Sequence, residues 1–124
     1  MRPVVGRAVE YQDEHQLRVA DERIRALVGE RLAELPAVEV DSLTPEERAR
    51  YDRVLMRCEF ANQIALHEFE KHITPERIAA LQKADQELAS AAKDLESVRS
   101  GVLDGVLKRI EDLFDRRDAA MTGA

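Results

Sequence analysis

The chain has 124 residues, 35% charged and 4% aromatic with no Trp, a net charge of −6 and a pI near 5.1. One domain of this size and composition, 1–124, reads as long surface-lined helices, and its acidity argues against simple electrostatic binding to nucleic acid or an anionic membrane. A lone Cys58 excludes an intrachain disulfide and a cysteine-rich metal site, and no apolar run approaches a signal-peptide core or a membrane span. The expectation is a soluble cytoplasmic protein.

The first helix is predicted over about 7–35. Val9, Leu17, Ala20, Ile24, Leu27, Val28 and Leu35 share one face, interrupted by Asp13 and Arg31. Pro36 ends it, because a proline ring clashes with the preceding turn. Residues 36–42 read as a loop. The second helix, about 45–72, opens on Thr44 as N-cap, Pro45 at the first helical position and Glu47 completing a capping box. Its inner face carries Tyr51, Val54, Leu55, Cys58, Ala61, Ala65 and Phe69.

Leu43-Thr44-Pro45-Glu46 recurs as Ile73-Thr74-Pro75-Glu76, so the same capping chemistry starts a third helix, about 75–99. The short link favours a tight hairpin between helices two and three over a single kinked rod. Within helix three, Leu81, Ala84, Leu88, Ala91, Leu95, Val98 and Val102 alternate at three and four residues. That spacing keeps a narrow apolar seam on one side, and its alanines allow close antiparallel approach. Ser100-Gly101 can end the helix, with Asp104 capping a fourth over about 104–117; the alternative is one continuous helix through Gly101-x-x-x-Gly105. Val102, Leu103, Val106, Leu107, Ile110, Leu113 and Phe114 make a wide apolar face, and residues 118–124 read as a frayed tail. The fold class is all-α: long antiparallel helices in a hairpin or three-helix bundle with a coiled-coil-like seam and a shorter fourth helix.

Chemistry-bearing residues are sparse. Glu68 and His72 lie one helical turn apart, a spacing open to metal ligation, yet neither Glu-x-x-His nor His-x-x-x-His occurs. They read as a solvated pair, so no metal and no cofactor are expected. Cys58 on an inner face reads as a small buried hydrophobe rather than a nucleophile. Asn62 is either a buried amide fixing register or a rim residue in contact with water.

Arg50, Arg53 and Arg57 share one flank of helix two with Glu46. The stripe reads as a solvated face with intrahelical pairs to Glu46, Glu47 or Asp52, or as a grip on phosphates. Met56, Phe60 and Ile64 lie on the outer side of the same helix, away from the inner face. An outer apolar strip bordered by arginine resembles a binding surface, unless the fourth helix folds back over it.

The run Asp21-x-x-Ile24-x-x-Leu27-Val28-x-x-Arg31 resembles part of the first helix of the all-helical chorismate mutases. Over those residues the resemblance implies a small dimeric three-helix enzyme with a carboxylate-binding pocket. The family carries an arginine two turns before the aspartate, where this chain has Glu14, and cations after the first helix, where residues 36–44 have none.

The expected function is a non-enzymatic structural or adaptor subunit acting by helix packing, through self-association or a protein partner. Its interaction residues are Met56, Phe60 and Ile64, the stripe Arg50, Arg53 and Arg57, and Leu103, Leu107 and Phe114 of the last apolar face. The alternatives are an accessory module of a nucleic-acid complex using the arginine stripe, and a small helical enzyme or metal carrier.

Overall fold

The structure, a computed structural model, describes residue 11 and residues 13–123. Among them are six helices and no strand: α1 (Glu14–Ala33), α2 (Ala37–Asp41), α3 (Pro45–Glu59), α4 (Gln63–Lys71), α5 (Pro75–Leu95) and α6 (Leu103–Thr122). Residues 7–10 and 12 of the predicted first helix, Val9 included, lie outside the described residues. None of the helices is long and apolar enough to cross a membrane.

Local chemistry explains where the helices start and stop. The Asp13 side chain caps α1 by accepting from the Gln16 amide at 2.8 Å, so it marks the helix start rather than interrupting an apolar face. Thr44 and Glu47 form the expected reciprocal box, at 3.2 and 2.9 Å, and Thr74 repeats half of it on the Arg77 amide. Residues 36–42 are not a plain loop: Pro36, in an extended conformation, stands at the N-cap of the short α2. Proline lacks an N–H, and a first helical turn needs none.

The predicted 45–72 helix is broken. Phe60 leaves α3 in an extended conformation, and the Asn62 side chain accepts from the Ala65 amide at 3.1 Å to start α4. A short amide side chain competes for backbone donors, which a long-helix pattern does not register. Helix three ends earlier than predicted, at Leu95, and Gly101 (φ +82°) turns the chain into α6. Asp104 does not cap α6; Val102 occupies that position, and Asp104 accepts from Arg50 instead.

The tail is helical rather than frayed. Met121 continues the spacing of Phe114 and Arg117 and is buried, so one more turn gains core contact. Gly123 then closes α6 in the left-handed conformation, its N–H on the Ala119 carbonyl at 2.8 Å.

Ion pairs and packing give the arrangement. Asp94 with Arg109 and Asp85 with Arg117 set α5 and α6 antiparallel. Arg50, Arg53 and Arg57 meet successive carboxylates of α6, so α3 and α6 run parallel. Arg25 on the Cys58 carbonyl and Arg18 on Gln63 set α1 antiparallel to α3 and α4. The seam helix therefore packs on α1 and α6, not back along the helix before it. Leu81, Ala84, Leu88, Ala91 and Leu95 are all buried, while Val102 stands exposed beyond the turn.

Two apolar clusters result. One joins Ile24, Val28, Val54, Leu88, Leu107 and Phe114; the other joins Tyr11, Leu17, Leu66, Phe69, Leu81 and Met121. Leu88→Ala is expected to cost about 2–5 kcal/mol in urea unfolding, since its side chain is fully enclosed. Ala91→Leu is expected to cost about 1–3 kcal/mol, because the added volume must separate closely packed helices. A melting temperature raised by Ala91→Leu would contradict that packing.

Candidate functional site

Met56, Phe60 and Ile64 stand exposed at 59%, 65% and 76% of their surface, across the joint between α3 and α4. The last helix does not cover them. It lies along the flank of α3, where the arginine stripe meets it. Arg50 donates to Asp104 at 2.8 Å; Arg53 holds Glu111 with two nitrogens at 2.8 and 3.3 Å. Arg57 reaches Asp115 at 2.6 Å and Asp118 at 2.9 Å, with its guanidinium 5.4 Å from the centre of the Phe114 ring. Asn62, exposed at the rim, adds a donor to Asp118 at 3.0 Å.

The stripe is thus an interhelical ladder, and its partners are not Glu46, Glu47 or Asp52. Asp104, Glu111, Asp115 and Asp118 recur at helical spacing along α6, which was the readable sign of a complementary row. The Glu111 bond and charge together raise the Arg53 pKa against a small opposing effect of burial. Leu103, Leu107 and Phe114 are buried, only 2%, 0% and 3% exposed, because α6 is enclosed by α3, α4 and α5. Of the expected interaction residues, the structure therefore leaves Met56, Phe60 and Ile64 open and turns the others inward or into the ladder.

A second constellation escaped the sequence reading. Arg117, 2% exposed, donates from Nη1 to Asp21 at 2.8 Å and from Nε to Asp85 at 2.5 Å. Asp21 accepts a further bond from Arg25, and Asp85 one from the Tyr11 hydroxyl. The cluster sits where the two apolar clusters meet. Burial opposes the charge on Arg117, yet the fields of Asp85 and Asp21 outweigh it and raise its pKa. Burial pushes Asp85 up from the usual carboxylate range, against the pull of Arg117 and Tyr11. The signal lay in spacing: Arg117 follows Ile110 by seven residues and Phe114 by three, on the buried face of α6.

Cys58 is enclosed, and burial, with Glu59 adding to it, pushes its thiol up to about 12 against Arg25 and Arg57. His72 ends α4 and its carbonyl accepts from Arg77, while Glu68 faces Lys71 at 3.6 Å. Among the described residues no group of three His, Cys, Asp or Glu side chains is placed to hold a metal ion. A recess of about 50 Å³ beside Glu47 and Asp104 is smaller than small-molecule sites, which run to about 300–1,000 Å³. A broader depression of about 360 Å³ between α5 and α6, bordered by Arg77 and Arg116 and floored by alanines, is open to solvent.

Comparison of the chain with protein-family profiles, with curated proteins and with solved structures finds no match.

Two outcomes follow from this geometry. The Cys58 thiol, raised by burial, contributes stability below its ordinary range that is lost as pH rises through about 12. At pH 8 a disulfide thiol reagent should therefore label native protein only as fast as it opens, and urea-unfolded protein at once; immediate native labelling would contradict the burial. Arg117→Met, which strands two buried carboxylates, is expected to cost about 3–5 kcal/mol. Adding Asp85→Asn should return part of that loss, a non-additivity readable in a double-mutant cycle.

Proposed function

We propose that this chain is a non-enzymatic structural or adaptor subunit. It works in the cytoplasm, with its helices forming a rigid bundle around the coiled-coil-like Leu81–Leu95 seam. Its contact with a protein partner, or with another copy, is made through the Met56–Phe60–Ile64 strip. The single observation that carries the reading is that strip: three large apolar side chains left open where the chain has already filled two cores. Exposed apolar clusters of this kind mark interaction surfaces more often than ordinary solvated helix. The ladder beside it supports the same reading, because Arg53 and Arg57 stiffen the flank of the strip against α6.

The test is Phe60→Asp with Ile64→Asp. Both side chains lie outside the cores, so helicity and the thermal melt should be retained. Light scattering should show the native mass falling toward the 14.1 kDa of one chain, or the loss of a bound partner. An unchanged mass together with a large loss of stability would place the strip in the core and overturn the reading.

A further inference from the structure

We draw no further inference here: the strongest candidate, the exposed apolar patch of Met56, Phe60 and Ile64 across the joint between α3 and α4, belongs to the surface already described, and nothing in the structure shows what covers it.

Discussion

The bundle depends on one buried cation. Arg117 projects from α6 into the space between α1 and α5, where Asp21 and Asp85 each take one of its donors. Removing a guanidinium from water is costly, and only close, well-directed carboxylates offset it. Those carboxylates need further donors of their own, supplied by Arg25 and by the Tyr11 hydroxyl. Three helices are thereby fixed to one another at a single point. A slip of α5 along α6 by one turn, about 5.4 Å, would part Arg117 from Asp85 and strand both charges in an apolar surround. Apolar contacts alone tolerate such a slip far better, since Leu and Ala recur along the seam.

Everything above and below the clamp is ordinary apolar packing. On one side Leu88, Leu107, Ile110 and Phe114 pack against Val28 and Val54; on the other Leu17, Phe69 and Leu81 pack against Met121. The break at Phe60 serves this division, because it lets α3 serve the first cluster and α4 the second. The same break brings the Asn62 amide to Asp118, next to Arg57. The outer strip crosses the joint, so the largest exposed apolar side chains among the described residues stand at a capped break and not along a plain helix.

The arginine ladder does a different job. Its outer rungs are exposed, and solvent screening leaves such pairs contributing little each. Arg50 and Asp104 are more enclosed, and Arg57 also lies over the Phe114 ring. The ladder's main consequence is directional: it orients α3 parallel to α6 and neutralises the cations that border the strip.

The sequence by itself determined the all-α class, the caps at Thr44 and Thr74 and the burial of the Leu81–Leu95 seam. Each rests on local chemistry or helical period, which act within a few residues along the chain. Only the tertiary structure decided which helices pair, that α5 joins α6 rather than α4, and that Arg50, Arg53 and Arg57 meet Asp104, Glu111, Asp115 and Asp118. Only it decided that Leu103, Leu107 and Phe114 are core, and that Arg117 lies between Asp21 and Asp85. Those outcomes link residues up to 96 positions apart, and a charge on an apolar helical face looks the same in sequence whether solvent or a carboxylate awaits it.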